Sequence, residues 1–405
     1  MNRHPVPADF ASPPSPEDLA RWDEADRSAR PARLARLRAR FADAGIDAYF
    51  GVRREHMRYL TGFTLAEGEE TVAGHSGQFL VGADEVVVLT DSRYTIQARR
   101  EAPEARVDET GYDLPGRWAA LCASLRARRV GVEAALVSHG LWTRLAAAAP
   151  DLELVPIEGW VEADRATKEP AELERIAAAA AVADRALAGL VPSIRPGVTE
   201  MSLALDLEWR IRTGGAEALA FDVACLAGPE AALPHGAPGE RPVLAGAVLL
   251  FDFGAQVAGY RSDMTRTLFV GEPAARDLAV YETVARAQRA AIDLLEARLA
   301  EGNGLPGGRE LDATARAVID EDGRFPAYGH GLGHGIGLAT HELPSLSKSA
   351  PDAPLPLRTV FSVEPGIYLE GETGVRIEDL VAIDAAAGHL ERLTHFPRDV
   401  LVVGV

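Results

Sequence analysis

Residues 248–271 read VLLFDFGAQVAGYRSDMTRTLFVG, and this stretch decides the fold of the C-terminal part of the chain. Apolar and polar residues alternate on both sides of a glycine-containing turn, which predicts two antiparallel strands. Folding the stretch about the bond between Val257 and Ala258 places Asp252 opposite Asp263. Directly opposed Cβ atoms lie about 4.5–5.5 Å apart, and like charges at that distance repel each other. The pair therefore predicts a cation between the two carboxylates.

A second hairpin is predicted in residues 360–383, VFSVEPGIYLEGETGVRIEDLVAI. Folding this stretch about Gly371 sets Glu364 opposite Glu378. Most acidic residues are solvated surface residues. Here Asp252 and Glu364 stand among apolar residues that we expect to be buried, where an unpaired carboxylate is costly. Two acidic hairpins together indicate a metal site.

A run of glycine and histidine, YGHGLGHGIGLATHELP, lies between the two hairpins at residues 328–344. Its five glycines disfavour a helix and allow the backbone to approach a compact metal centre closely. A single histidine is more often a packed or surface residue, but this run contains His330, His334 and His341. A fourth histidine, His235, occurs in the loop sequence LPHGAP and is weak evidence when taken alone.

One imidazole with four carboxylates is an oxygen-rich ligand set, which suits Mn, Fe, Co or Zn better than a metal that prefers thiolates. Four carboxylates are also sufficient for two divalent ions. Two ions about 3.5–4 Å apart can be bridged by carboxylates while a shared water loses a proton and becomes the nucleophile.

Composition limits the class of protein. The 405 residues are 47% hydrophobic and 25% charged, as in ordinary globular proteins, and the formal net charge is −18. Such a charge argues against nucleic acid or an anionic membrane as a partner. The two cysteines are too few for a disulfide scaffold, and we find neither a signal peptide nor an apolar run of membrane-spanning length. We therefore expect a cytoplasmic protein.

Sequence patterns divide the chain into a disordered tail at residues 1–16, an α/β domain at 17–163 and a catalytic domain at 164–405. In the first domain we predict helices at 17–44, 114–128 and 141–149, and strands at 48–52, 77–81, 85–89, 130–132 and 152–157. In the second, helices at 171–190 and 200–213 precede a strand pair at 247–270, and helices at 275–300 and 309–322 precede another at 359–384. This order suggests two similar halves.

These motifs resemble those of the metallopeptidases that comprise Xaa-Pro dipeptidase (prolidase) and aminopeptidase P. The resemblance rests on DFGAQVAGYRSDMTRT, GHGLGHGIGLATHELP, VEPGIY and GVRIED, while YLTGF and LTDSRY resemble the N-terminal domain of the same proteins. Methionine aminopeptidases usually lack that N-terminal domain. The resemblance implies an α/β (α+β) fold, with a creatinase-like N-terminal domain and a pita-bread domain of pseudo-two-fold αα-hairpin halves.

The resemblance also implies a role for each site residue. The metal ligands would be Asp252, Asp263, His334, Glu364 and Glu378. Asp263 and Glu378 would bridge the two ions, and Glu364 would also pass a proton. His235 and His341 would contact the substrate at the scissile carbonyl, His330 would line the proline pocket, and Arg376 would orient the site electrostatically.

The implied activity is hydrolysis of the Xaa-Pro bond, in dipeptides or at the N-terminus of longer peptides, by a homodimer that binds two divalent ions. Manganese is the preferred metal, with cobalt, zinc or iron as alternatives. Ser345 stands where some dipeptidases have a carboxylate-binding arginine, and Phe221 stands where other members have a tyrosine. The alternatives are a catalytically inactive binding protein and a metal-dependent hydrolase or lyase acting on a small non-peptide molecule, because fold alone does not fix function.

Overall fold

The computed structural model describes residues 10–65, 76–302 and 304–404. Contacts between Cα atoms divide these residues into two compact units, one formed by Ala20–Asp164 and the other by residues 165–404 with residues 10–19. Residues 1–9 of the predicted tail lie outside the described residues, and the first helix begins at Pro16.

The N-terminal part forms a six-stranded mixed sheet of β1 (Ala48–Gly51), β2 (Gln78–Val81), β3 (Val86–Thr90), β4 (Arg106–Glu109), β5 (Arg129–Glu133) and β6 (Glu153–Ile157). The strand order in this part is β4-β3-β2-β1-β5-β6. Its helices are α1 (Pro16–Ala39), α2 (Phe41–Ala44), α3 (Arg54–Thr61), α4 (Thr95–Glu101), α5 (Leu114–Ser124), α6 (His139–Ala148) and α7 (Trp160–Ala166).

Each strand predicted in this part is present, but α3, α4, α7 and β4 were not predicted. Helix α5 ends at Ser124 rather than at residue 128, because Arg126 adopts a left-handed backbone with φ 56°. The core lies between the sheet and helices α5 and α6, where the ring centroids of Phe50 and Trp118 are 5.0 Å apart in an edge-to-face arrangement.

The second unit has four long helices and most of the short strands. The helices are α8 (Pro170–Leu190), α9 (Glu200–Thr213), α10 (Ala275–Glu301) and α11 (Gly308–Asp322). The strands before α10 are β7 (Ala218–Leu219), β8 (Ala224–Ala227), β9 (Val248–Phe253), β10 (Ala255–Val257), β11 (Tyr260–Arg261) and β12 (Met264–Val270). The strands after α11 are β13 (Gly333–Gly335), β14 (Glu342–Leu346), β15 (Arg358–Val363), β16 (Gly366–Leu369), β17 (Thr373–Arg376), β18 (Asp379–Asp384), β19 (His389–Arg392) and β20 (Val402–Val403).

The two predicted halves are visible in this order of elements. Helices α8 and α9 precede the antiparallel pair β9–β12, and helices α10 and α11 precede the antiparallel pair β15–β18. The β9–β12 pair belongs to a sheet of order β20-β12-β9-β8, and the β15–β18 pair to a sheet of order β14-β13-β15-β18-β19. A core of buried apolar residues joins α10 and α11 to these sheets, with Val284, Ile319, Phe361 and Val381 among them.

The predicted register of the first hairpin is wrong by two residues. Asp252 pairs with Thr265, and the same register puts Asp263 beside Gly254, so the two aspartates are diagonal rather than directly opposed. The cause is the turn, which is formed by Ala258 and Gly259, both with positive φ (47° and 83°). Two left-handed residues favour this tight turn in a hairpin, and it lies one residue later than the assumed centre.

The predicted register of the second hairpin is confirmed. Val363 pairs with Asp379 on one side of the acidic residues, and Gly366 pairs with Arg376 on the other. The two pairs have the same register, so Glu364 and Glu378 occupy facing positions where β15–β18 ends and β16–β17 begins.

Helix α8 and the turn after it (Pro170–Ser193) are long and apolar enough to cross a membrane by length and composition alone. More than half of the apolar window is buried inside the protein. The helix also contains buried Asp184, whose carboxylate accepts the backbone N–H groups of His395 and Phe396. These features are those of a core helix.

Candidate active site

An open pocket of about 690 Å³ lies in the second unit, and all nine site residues predicted from the sequence line it. The five expected ligands come from the ends of the two paired strand systems and from the glycine run. Asp252 lies on β9 and Asp263 directly before β12, while His334 lies on β13. Glu364 follows β15 and Glu378 directly precedes β18. Separate segments of the chain thus converge on one point.

Three of these residues form a compact group. Ligand atoms of Asp263, His334 and Glu378 all lie within 4.8 Å of one another. The Nε2 atom of His334 is 3.7 Å from Oδ2 of Asp263 and 3.4 Å from Oε1 of Glu364. This spacing is suitable for one cation shared by an imidazole and several carboxylates.

Burial and mutual repulsion disfavour the ionised form of three carboxylates of this site, those of Asp263, Glu364 and Glu378. Burial, followed by the proximity of Glu378 and Asp252, raises the pKa of Asp263 well above its usual value. Burial and the neighbouring Glu364 do the same to the pKa of Glu378. Burial also raises the pKa of Glu364. A positive charge at the centre would remove this penalty.

His334 is oriented by the backbone around it. Its Nδ1 atom lies 3.1 Å from the carbonyl oxygen of Gly335, which favours a proton on Nδ1 and leaves Nε2 facing the carboxylates. Its backbone N–H donates to Oγ of Ser362 on β15. A Cβ atom at Gly333 would lie 1.9 Å from the carbonyl oxygen of Ser362, so only glycine allows this approach. Burial lowers the pKa of His334, which keeps the ring neutral, as a metal ligand must be.

A polar network centred on Arg376 connects Asp252 to Tyr368 and Glu378. The Arg376 guanidinium donates to Oδ2 of Asp252 at 2.6 Å and to the Tyr368 hydroxyl at 2.9 Å. Its Nε atom also donates to Oγ1 of Thr265, whose hydroxyl donates to Oε2 of Glu378. One arginine therefore fixes ligands from both hairpins.

The Tyr368 hydroxyl also contacts His330, which the resemblance assigns to the proline pocket. The Nδ1 atom of His330 lies 2.7 Å from the carbonyl oxygen of Gly331, and Nε2 lies 2.9 Å from the Tyr368 hydroxyl. The consistent assignment has Nδ1–H donating to the carbonyl, so that the tyrosine hydroxyl donates to Nε2. Burial lowers the pKa of His330, in agreement with a neutral ring.

Two further histidines line the open side of the pocket. The rings of His341 and His334 are 4.3 Å apart, and desolvation together with His334 lowers the pKa of His341. His235 is exposed in the loop before β9. Phe221 and Ser345, the two positions that depart from related sequences, also line the pocket.

Three polar residues of the site were not singled out in the sequence, namely Thr265, Ser362 and Tyr368. Each lies in or beside a motif that was used: Thr265 in DMTRT, Ser362 next to VEPGIY and Tyr368 within it. The available signal was their position two to four residues from an expected metal ligand.

Comparison with known proteins agrees with this geometry. The sequence profile of metallopeptidase family M24 matches residues 174–385, more than half of the chain. The chain belongs to metallopeptidase family M24. The profile of the creatinase/prolidase N-terminal domain matches residues 33–167. The chain is thus a metal-dependent peptidase that combines a creatinase-type N-terminal domain with a pita-bread catalytic domain.

Individual M24 relatives are similar over nearly the whole chain. The uncharacterized peptidase YqhT of Bacillus subtilis is 32% identical over 371 residues, which cover 92% of this chain and 100% of that protein. The structure of an Xaa-Pro dipeptidase from Bacillus anthracis has a TM-score of 0.82 at 32% identity, covering 92% of this chain and 100% of the other. An X-Pro aminopeptidase from Thermotoga maritima has a TM-score of 0.77 at 36% identity, covering 89% and 98%.

Proposed function

We propose that this M24 peptidase hydrolyses the bond between an N-terminal residue and proline, using two divalent cations. The observation that carries the proposal is the convergence of four acidic residues and one neutral histidine on a single pocket. Relatives named as an Xaa-Pro dipeptidase and as an X-Pro aminopeptidase support the choice of proline. The same facts favour a peptidase over an inactive binding protein.

The residues fit a pair of cations. Among the described residues, Oδ1 of Asp252 and Oε1 of Glu378 are buried and have no hydrogen-bond partner. Buried carboxylate oxygens are normally hydrogen-bonded or coordinate a metal, so these two atoms are free to act as ligands. The oxygen-rich set suits manganese, our first choice, or cobalt, zinc or iron.

When bound, the two cations would polarise the scissile carbonyl and make water acidic. The proposed ligands are Asp252, Asp263, His334, Glu364 and Glu378. Asp263 and Glu378 would be shared between the ions. Ligand atoms of these two residues lie within 4.8 Å of each other, which supports this role.

Glu364, together with the pocket residues that are not metal ligands, would transfer protons and stabilise the charge that develops during the reaction. Glu364, whose pKa is raised by burial, is suited to accept a proton and pass it to the leaving nitrogen. His341 and His235 would donate hydrogen bonds to the scissile oxygen as negative charge develops on it. Arg376 would keep Asp252 in place through its 2.6 Å hydrogen bond.

His330 would form the wall against the proline ring. Its two nitrogens are already used by Gly331 and Tyr368, so the ring offers the substrate an apolar face without a free acceptor. Proline has no backbone N–H and loses nothing in such a place, whereas another residue would bury an unpaired donor.

Substrate length is expected to matter only slightly. The sequence HELPSLS resembles the pattern of dipeptidases, which favours dipeptides. Ser345 lines the pocket at the position where some dipeptidases have an arginine that holds the substrate carboxylate, and this reduces the preference. We therefore expect both Xaa-Pro dipeptides and longer peptides that begin with Xaa-Pro to be cleaved.

Metal analysis of the purified protein tests the metal centre independently of any substrate. We expect two equivalents of divalent metal per chain, loss of peptidase activity on chelation, and recovery when Mn²⁺ is added back. A protein that holds no stoichiometric metal would be a binding protein on this fold. A metal-loaded protein that cleaves no peptide would point to a small-molecule hydrolase or lyase.

We further propose that the enzyme is a cytoplasmic homodimer. Sedimentation equilibrium measures its mass directly, and twice the chain mass of 43.2 kDa is expected. A monomer would contradict the dimer without affecting the proposed chemistry.

A further inference from the structure

A buried carboxylate, that of Glu342, contacts two basic side chains next to the loop that carries His341. The proposed chemistry does not use this group. We propose that Glu342, held by Arg165 and Lys168, is a positioning residue that fixes the direction of His341. The inference rests on the proposed function, because it acts through the oxyanion role of His341.

The three side chains are almost completely buried, with exposures of 5% for Glu342, 3% for Arg165 and 1% for Lys168. Arg165 donates to Oε1 of Glu342 in a very short contact, and Nζ of Lys168 donates to Oε2 at 2.9 Å. Burial alone would raise the pKa of Glu342, but the positive charges of Arg165 and Lys168 outweigh the effect of burial and lower that pKa to about 2. Glu342 is therefore ionised at neutral pH and bound on both oxygens.

The carboxylate of Glu342 also closes the loop that contains His341. Its Oε1 atom accepts the backbone N–H of Ala339 at 2.7 Å, three residues earlier. The N–H of Gly337 donates to the carbonyl oxygen of Ala339, so one compact turn runs from Gly337 to Glu342. A Cβ atom at Gly337 would lie 2.8 Å from Oε2 of Glu342, which shows how tightly the turn covers the carboxylate.

His341 depends on this turn for its direction. In the described part of the chain its ring makes no side-chain hydrogen bond, and its close ring contact is with His334. The backbone sets the direction of the Cα–Cβ bond from which this ring projects, and the Glu342 side chain holds that backbone through the N–H of Ala339.

The two basic residues, Arg165 and Lys168, are themselves held by the sheet that carries the site. The Nζ atom of Lys168 donates to the carbonyl oxygen of Arg165 at 2.7 Å, and the Lys168 backbone N–H donates to the carbonyl oxygen of Arg358 at 3.0 Å. Arg358 begins β15, the strand that leads to Glu364. The group therefore holds the His341 turn in a constant relation to the proposed metal ligands.

A double-mutant cycle tests the inference, with kcat and KM for Ala-Pro measured on the metal-loaded enzyme. Glu342→Gln should lower kcat by about 100-fold, the cost of a small misplacement in an active site, with little change in KM. His341→Ala should lower kcat by about 100- to 1000-fold. The double variant should be no slower than His341→Ala alone, because Glu342 acts only through that ring.

A variant that only destabilises the fold should lower the thermal midpoint without changing kcat. Glu133→Gln is the matched control, since Glu133 is a buried carboxylate of the other unit that accepts the Tyr49 hydroxyl and two backbone N–H groups. It should lower the thermal midpoint while leaving kcat at 25 °C unchanged. Folding and metal content of each variant are checked by circular dichroism and metal analysis.

Lys168→Met provides a second route if Glu342→Gln does not fold, because Arg165 and Ala339 still hold the carboxylate. It should lower kcat about tenfold, equivalent to 1.36 kcal/mol in the barrier, and only when His341 is present. Unchanged kcat in a folded variant, or losses that multiply in the His341→Ala background, would overturn the inference. A wild-type enzyme that does not cleave Ala-Pro would instead refute the proposed function.

Discussion

The carboxylate of Asp263 stands in strong electrostatic conflict with the other acidic residues of the site. It is 5% exposed, and its carboxylate faces Glu378, Asp252 and Glu364 as well as His334. Burial and these neighbours raise its pKa well above the usual value, so the charged form is disfavoured in the protein alone. We therefore expect Asp263 to be important for metal binding and unfavourable for stability in the absence of metal.

The variant Asp263→Asn separates these two effects. An amide cannot bridge two cations as a carboxylate does, so activity should fall by more than about 100-fold, with loss of bound metal. In the metal-free state the variant should unfold at the same temperature as the wild type or higher, because a repelled charge has been removed. Thermal unfolding followed by circular dichroism gives both midpoints. An active variant would show that the Asp263 carboxylate is not a ligand.

Asp252 and Glu364 could be found from the sequence because each stands among apolar residues, where an unpaired carboxylate is costly. Asp263 and Glu378 followed from the hairpin pattern, three histidines from the glycine-rich run, and His235 from the resemblance. The residues that hold these side chains in place could not be found in the same way. Glu342 and Lys168 acquire a role only when segments far apart in the chain meet, here across 174 residues. Such contacts depend on tertiary packing, which local patterns do not report.

At the scale of elements, the two hairpins show what decides a register. The hairpin around Gly371 has a single glycine with positive φ at its turn, and the symmetric fold about it was correct. In the other hairpin the non-glycine residue Ala258 takes the left-handed conformation together with Gly259, which moves the turn by one residue. Sequence alone does not indicate that an alanine will adopt positive φ.

The contact between β13 and β15 gives a prediction about the glycine run. A Cβ atom at Gly333 would overlap the carbonyl oxygen of Ser362 at 1.9 Å, so Gly333→Ala must push these strands apart. We expect a loss of stability of about 1–3 kcal/mol and weaker metal binding at His334.

Gly329→Ala is the control in the same run, because no atom lies within 4 Å of a Cβ atom built there. Its thermal midpoint and metal content should match the wild type. Equal midpoints for Gly333→Ala and Gly329→Ala would contradict the close strand contact.

At the scale of the whole molecule, metal binding should be linked to pH. The pKa values of Asp263, Glu364 and Glu378 are raised, so the folded metal-free protein retains protons that the unfolded chain loses above about pH 4. These groups therefore make the metal-free protein less stable as pH rises from there towards the folded pKa values. Cations require the ionised carboxylates, so binding must release protons.

We expect this proton release to be measurable at pH 6 by calorimetric titration with Mn²⁺ in two buffers of different ionisation enthalpy. The apparent affinity for Mn²⁺ should also increase as the pH rises, because the carboxylates then lose their protons without the metal. Equal heats in the two buffers would mean that the carboxylates are already ionised without metal.

At the scale of the whole molecule, the proposed specificity for proline depends on the His330 ring, whose two nitrogens already have hydrogen-bond partners. The most direct test of this account is a comparison of Ala-Pro with Ala-Ala. An alanine nitrogen in the proline position would bury an unpaired N–H, at a cost of about 1–3 kcal/mol. The ratio of kcat/KM for the metal-loaded enzyme should therefore favour Ala-Pro by roughly 10- to 100-fold from this effect, and more with packing against His330. Equal kcat/KM values for Ala-Pro and Ala-Ala would contradict the proposed specificity for proline.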